Sequence, residues 1–221
     1  MTGRLMVFDL DGTLVDSAPD ITASVNRMLA RRGLPALGRP QVAGMVGDGL
    51  HKLMERVFAA VGAAPDARAD DDYMEDYERN VLVETVLFSG IAAALDALAA
   101  DGWRLAVCTN KPAHAAHLLL EGLGIAGRVA AIGGGDSFAT RKPDPGHLAG
   151  TILAAGGDQA RAVMVGDHRN DVQAAQGCAV PCIFAAWGYG GPEMANGAAA
   201  IAAAPGELSG LADRLVPAAF R

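Results

Sequence analysis

Val7-Phe8-Asp9-Leu10-Asp11-Gly12-Thr13-Leu14-Val15-Asp16-Ser17 carries a short apolar strand straight into two carboxylates. In an extended segment Asp9 and Asp11 share one side, while Leu10 points the other way into a core. Gly12 then permits a tight turn. Two carboxylates at the end of a buried strand are too costly to serve as packing. The segment is therefore read as part of an active site.

Outward from this stretch, short β-rich runs alternate with helical patterns. Strands are expected at 4–8, 104–108, 129–132, 162–165 and 181–185, with helices near 91–100, 112–122, 145–155 and 170–177. Such alternation predicts an α/β fold, a Rossmann-like doubly wound parallel sheet with helices on both faces. Ligands of such sheets bind beyond the carboxyl ends of the strands, and polar residues stand there: Asp9, Thr109, Asp136 and Asp167. One interval breaks the pattern. Between Asp16 and about Thr85 the periodicity is helical throughout. A first helix starts at Ser17-Ala18-Pro19-Asp20, resembling a capping box, and stops at Gly33. A second covers about 41–60, interrupted by Gly44, Gly47 and Gly49, and a third covers 70–82. The division expected is a core of 1–16 and 86–221 with a small all-helical cap, 17–85, inserted in it. The alanine-rich stretch 198–204 reads as helix or loop.

A chain of 221 residues that is 51% hydrophobic and 19% charged can bury a substantial core. Its net charge of -7 argues against nucleic acid or an anionic membrane as partner. A phosphorylated substrate stays admissible, because a local cation can invert the field of a site. No apolar run reaches the roughly 18 residues of a spanning helix, and Met1 leads into the first strand without a signal-peptide core. Cys108, Cys178 and Cys182 lack metal-type spacing and read as small apolar residues in a reducing compartment. The expectation is a cytoplasmic protein, monomeric or homodimeric.

Three further strings carry chemistry. Val107-Cys108-Thr109-Asn110-Lys111-Pro112 ends a strand with a hydroxyl before a helix N-terminus, which offers several donors to an anion. Arg141-Lys142-Pro143-Asp144-Pro145 places cations before the next helix. Val163-Met164-Val165-Gly166-Asp167-His168-Arg169-Asn170-Asp171 puts Asp167 at a strand end and Asp171 one helical turn later. If Asp9, Asp167 and Asp171 meet, each pair repels by about 4 kcal/mol at ~4 Å and an effective dielectric near 20. Three pairs would reach roughly 12 kcal/mol, the scale of a whole domain's stability. A divalent cation turns that penalty into affinity, and all-oxygen ligands with a phosphate substrate select Mg2+.

Together these strings resemble the four motifs of the haloacid dehalogenase-like superfamily. The resemblance implies that Asp9 is a nucleophile and Asp11 a general acid/base. Thr109, Asn110 and Lys142 would hold phosphate. Asp9, Asp167 and the backbone carbonyl of Asp11 would ligate Mg2+, with Asp171 assisting through water or hydrogen bonds. Asp11 separates the chain from the superfamily's dehalogenases, whose halide leaving group needs no proton.

The likeness extends through Asp16-Ser17-Ala18-Pro19-Asp20-Ile21, Met45-Val46-Gly47-Asp48-Gly49 and Trp187-Gly188-Tyr189-Gly190, and is nearest to the phosphoglycolate phosphatases. The chain differs from them in having Ala43 in place of an arginine and Phe88-Ser89-Gly90 in place of Phe-Pro-Gly. The activity implied is hydrolysis of a small phosphomonoester, 2-phosphoglycolate first, through an aspartyl-phosphate. Another acid or sugar phosphate, pyrophosphate, or a β-phosphoglucomutase-like transfer would use the same motifs. His168 is placed to touch substrate and Asp136 to steady Lys142. His114 and His117 read as surface, and the acidic run from Asp70 to Glu78 as a solvated helix face.

Overall fold

Residues 3–218 are described by the computed structural model; 1–2 and 219–221, the ends of the expected core segments, lie outside them. In chain order the elements begin with β1 (Leu5–Phe8), β2 (Val15–Asp16), α1 (Ala18–Arg31), α2 (Arg39–Ala43), α3 (Leu50–Ala60), α4 (Ala69–Arg79) and β3 (Val86–Leu87). Then come α5 (Ile91–Ala100), β4 (Arg104–Cys108), α6 (Ala113–Gly122), β5 (Val129–Gly133), α7 (Pro145–Ala154) and β6 (Ala162–Gly166). Last are α8 (Arg169–Gly177), β7 (Cys182–Ala185), β8 (Ala200–Ala202) and α9 (Leu208–Leu215).

Six strands pair in the order β5-β4-β1-β6-β7-β8, all parallel. Because side chains alternate along a strand, β1 feeds two cores. Met6 and Phe8 pack with α5, α6 and α9, whereas Leu5 and Val7 pack with α7 and α8. A strand covered on both faces reads as the continuous apolar run seen in the sequence. The register sets Phe8, Val107 and Val165 abreast. The chain ends leaving β1, β4 and β6 therefore emerge together, where the strand order reverses about β1. Helices α1–α4 form the inserted helical cap.

Four local expectations are corrected. The stretch 198–204 contains an edge strand, β8, paired to β7. Alanine favours helix in isolation, and the neighbouring strand overrides that preference. The helix expected at 41–60 is two, α2 and α3, separated by a turn through Gly47 and Gly49 with φ +121 and +88. Ser17 makes no side-chain cap. Asp20 turns away from the helix start and accepts hydrogen bonds from the backbone N–H groups of Val83, Glu84 and Thr85 and from Thr85 Oγ1. It thereby ties the beginning of the cap to its end. Beside it β2 and β3 pair antiparallel, joining the two connections between cap and core.

The acidic face of α4 is only partly solvated. Asp76 is 5% exposed and receives Arg27 and Arg31 from α1, while Asp72 receives Arg32. His114 and His117 are exposed, and the three cysteines are free. Among the described residues no helix is long and apolar enough to cross a membrane.

Candidate active site

Asp9 continues the β1 ladder, its N–H donating to Val165 O at 2.9 Å. Its Oδ1 accepts Leu10 N at 2.7 Å and lies 2.9 Å from Lys142 Nζ. No donor among the described residues is hydrogen-bonded to Oδ2. The following turn folds tightly, with the N–H groups of Thr13, Leu14 and Val15 all directed at Leu10 O. Gly12 makes this possible: its φ is +85, and a Cβ there would stand 2.4 Å from Asp167 Oδ2. Asp167 is in turn held by Thr13 Oγ1 at 2.8 Å and Tyr189 N at 2.8 Å.

Lys142, 2% exposed, reaches across the sheet end from the loop before α7. Its Nζ donates to Cys108 O and to Asp171 Oδ1, both at 2.6 Å, besides meeting Asp9. Burial alone would lower its proton affinity, but Asp171 and Asp9 override this and hold the ammonium well above its ordinary range. Lys142 N–H donates to His147 Nδ1 at 3.1 Å. Burial and then Lys142 push His147 down to about 4, so it is neutral and able to accept. Asp136 does not steady Lys142. It accepts Ala113 N at 2.8 Å, at the start of α6. Arg141 is exposed.

Asp9, Asp167 and Asp171 each present an oxygen within 4.8 Å of the others, and all three are buried. Lys142 bridges Asp9 and Asp171, so the repulsion foreseen among three carboxylates falls mainly between Asp9 and Asp167. Burial, followed by Asp9, pushes the Asp167 carboxyl up to about 6. Three buried carboxylates against the one ammonium of Lys142 leave negative charge unbalanced at Asp9 and Asp167, and a divalent cation on all-oxygen ligands fits it. Asp171 has both oxygens engaged, one by Lys142 and the other by His168 N at 3.0 Å. Its position suits orienting the lysine.

Thr109 follows β4, its N–H donating to Gly133 O at 2.8 Å and its Oγ1 accepting Lys111 N at 3.2 Å. The Asn110 amide donates to Gly47 O of the cap and to Lys142 O, at 2.9 and 2.8 Å. It thus braces the cap loop and the Lys142 loop against the end of β4, and its buried Oδ1 has no partner. The glycines after β5 give the backbone room: a Cβ on Gly135 would meet Asn110 O at 2.4 Å.

The cap closes over this floor. Gly47 O also accepts Asn170 Nδ2, and Asp48 accepts the same amide at 2.6 Å while pairing with Arg56. A Cβ on Gly47 would strike the His168 ring at 2.8 Å, so His168 packs on the cap loop near Asp9 and Asp11. The half-open pocket between cap and core has a volume of about 50 Å³.

Two contacts at Asp11 were not foreseen. Ser17 Oγ donates to Asp11 Oδ1 at 2.5 Å, and Lys111 Nζ lies 3.1 and 3.0 Å from its two oxygens. Lys111 stands a hundred positions from Asp11 in the chain. Only its buried setting beside the strand end, which TNKP alone does not reveal, marks it out.

Comparison with known proteins agrees with this geometry. Residues 6–185 match the family model described as haloacid dehalogenase-like hydrolase. The chain is 43% identical over 197 residues to the phosphoglycolate phosphatase of Agrobacterium fabrum, covering 86% of this chain and 84% of that one. It is 40% identical over 201 residues to that of Rhodospirillum rubrum, covering 87% and 83%. A solved structure described as a predicted phosphoglycolate phosphatase from Haemophilus somnus superposes with a TM-score of 0.87 at 26% identity, covering 96% of this chain and 98% of that one.

Proposed function

The chain belongs to the haloacid dehalogenase-like hydrolase family, and from that footing we propose that it is a Mg2+-dependent phosphatase acting on 2-phosphoglycolate through an aspartyl-phosphate. The observation that carries this reading is the meeting of Asp9 after β1, Asp167 after β6 and Lys142 from the loop before α7 at one end of the sheet, with Asp11 beside them. The names of the relatives in Agrobacterium fabrum and Rhodospirillum rubrum support the choice of substrate.

Asp9 Oδ2 attacks phosphorus in line, the new carboxylate–phosphorus bond forming as the ester bond breaks. Lys142 pairs with Asp9 and fixes its other oxygen. Asp11 gives its proton to the departing alkoxide, then removes one from the water that attacks phosphorus. That second attack releases inorganic phosphate and restores Asp9. Thr109 Oγ1 and backbone N–H groups of the strand ends hold the equatorial oxygens. When bound by Asp9, Asp167 and the Asp11 carbonyl, Mg2+ supplies positive charge to the carboxylates and the phosphoryl oxygens. Residues 17–85 act as the cap that admits substrate and then excludes water, swinging on the β2–β3 connections.

The test is a phosphate-release screen with Mg2+ over 2-phosphoglycolate, sugar phosphates, nucleotides and pyrophosphate. The reading expects 2-phosphoglycolate to be cleaved with the highest kcat/KM and Asp9→Asn to be inactive. Release unaffected by Asp9→Asn would refute it.

A further inference from the structure

We propose that Lys111 is the specificity residue that binds a carboxylate on the leaving group of the substrate. This rests on the phosphatase reading above and adds to it the group that recognises the non-reacting end of the molecule.

Four observations converge on Lys111. Among the described residues lining the pocket between cap and core, it is the one cationic side chain. It is 8% exposed, so its charge is directed into the site and away from solvent. Its Nζ is hydrogen-bonded to the carboxylate of Asp11, the residue that must touch the leaving oxygen. A carboxylate one methylene away from that oxygen therefore falls within reach of the same ammonium, whose three donors can serve both groups. Finally, the ring of Tyr77 on α4 lies 4.5 Å beneath Nζ, a cation–π contact that fixes the ammonium at the seam where the cap meets the core.

The rest of the cap wall is selective by what it lacks. Val46, Leu50, Leu53 and Met74 line the cavity and offer no side-chain hydrogen bonds, which leaves the hydroxyls of Tyr73 and Tyr77 as the polar side-chain groups that α4 brings to it. The several hydroxyls of a sugar phosphate would outnumber these two groups, and each one left without a partner adds to the cost of burial. Ala43, near Asp9 and Asp11 at the other side of the cap loop, brings no charge. The pocket thus suits a short tail ending in a single negative charge, and Lys111 is the group that reads it.

The experiment compares kcat/KM for 2-phosphoglycolate with that for its neutral isostere, 2-phosphoglycolamide, in the wild type and in Lys111→Met, Lys111→Gln and Lys111→Arg. A charged hydrogen bond of ordinary strength gives the wild type an acid-to-amide preference of about 10- to 100-fold. Lys111→Met and Lys111→Gln should bring the ratio to within about twofold of one, chiefly through KM for the acid, while Lys111→Arg retains most of it. If both substrates lose the same factor, Lys111 serves only to position Asp11 and the proposal is overturned, with the phosphatase reading intact. A wild type that does not distinguish acid from amide overturns it equally. A wild type that cleaves neither compound removes the 2-phosphoglycolate reading and the role of Lys111 together.

Discussion

Lys142 holds a single positive charge against two buried carboxylates, and its removal is the sharpest perturbation available at the residue scale. Lys142→Met would leave Asp9 and Asp171 facing each other uncompensated. Breaking a buried ion pair in this way costs about 3–5 kcal/mol, which urea unfolding of the metal-free protein should register as a lowered midpoint. A midpoint equal to the wild type's would show that the lysine does not bear this charge balance. Asp11 makes a different prediction. In Asp11→Asn, esters with a poor leaving group should lose about 10²- to 10⁴-fold in rate. p-Nitrophenyl phosphate needs no proton on departure, so it should give a burst of nitrophenol followed by slow turnover. Absence of a burst, with equal losses on both ester types, would deny Asp11 its acid role.

At this same scale the strand-end residues were readable because one short string declares each of them. Lys111 was not, since its partner Asp11 lies in a distant string and a lysine beside proline is ordinarily solvated. Ser17 and Asp20 were misread for a related reason. A Ser-x-x-Asp sequence is a local cap signal, but here both side chains are claimed by tertiary partners, Asp11 and the segment from Val83 to Thr85.

Elements are held in place by a few positions with no freedom to vary. Gly12 sits at φ +85 with its missing Cβ occupied by the Asp167 carboxylate. Gly12→Ala therefore combines left-handed strain with a clash, and at least about 1–2 kcal/mol of stability should be lost along with most activity. Chemical denaturation and phosphate release measure the two effects, and an alanine tolerated in both would mean the turn is not so tight. Asp20 is the clamp on the cap's base. Asp20→Ala strips the partner from the N–H groups of Val83, Glu84 and Thr85, of which Thr85 is the buried one, for an expected loss of about 1–3 kcal/mol. A thermal midpoint that does not move would rule out the clamp. The alternation of strands and helices placed β1, β4–β7 and α5–α8 to within a residue or two, since buried parallel strands are written as continuous apolar runs, but it did not anticipate α9. The weak edge strand β8 and the ribbon β2–β3 left no such trace, because pairing with a neighbour defines them more than composition does.

For the molecule as a whole, the acidic cluster couples folding, pH and metal. Asp167 is raised from an ordinary value near 3.8 to about 6 in the folded state. The folded protein thus binds this proton more tightly than the unfolded chain, and the metal-free cluster's contribution to stability is lost as pH rises through about 4 to 6. Mg2+ needs the deprotonated ligand, so its stabilising effect should grow over the same window. The Mg2+-induced rise in Tm is expected to be larger at about pH 7.5 than at about pH 5, and to shrink at both in Asp167→Asn. Equal shifts at the two pH values, or an undiminished shift in the variant, would place the cation elsewhere.

The most direct measurement of the central claim is acid quenching of a single turnover on 2-phosphoglycolate with Mg2+, followed by mass analysis of the protein's peptides. The account predicts a phosphoryl group on Asp9 that appears before inorganic phosphate, decays with its release, accumulates in Asp11→Asn and is absent from Asp9→Asn. Phosphate released with no adduct on Asp9 at any time, or at an undiminished rate by Asp9→Asn, would contradict it.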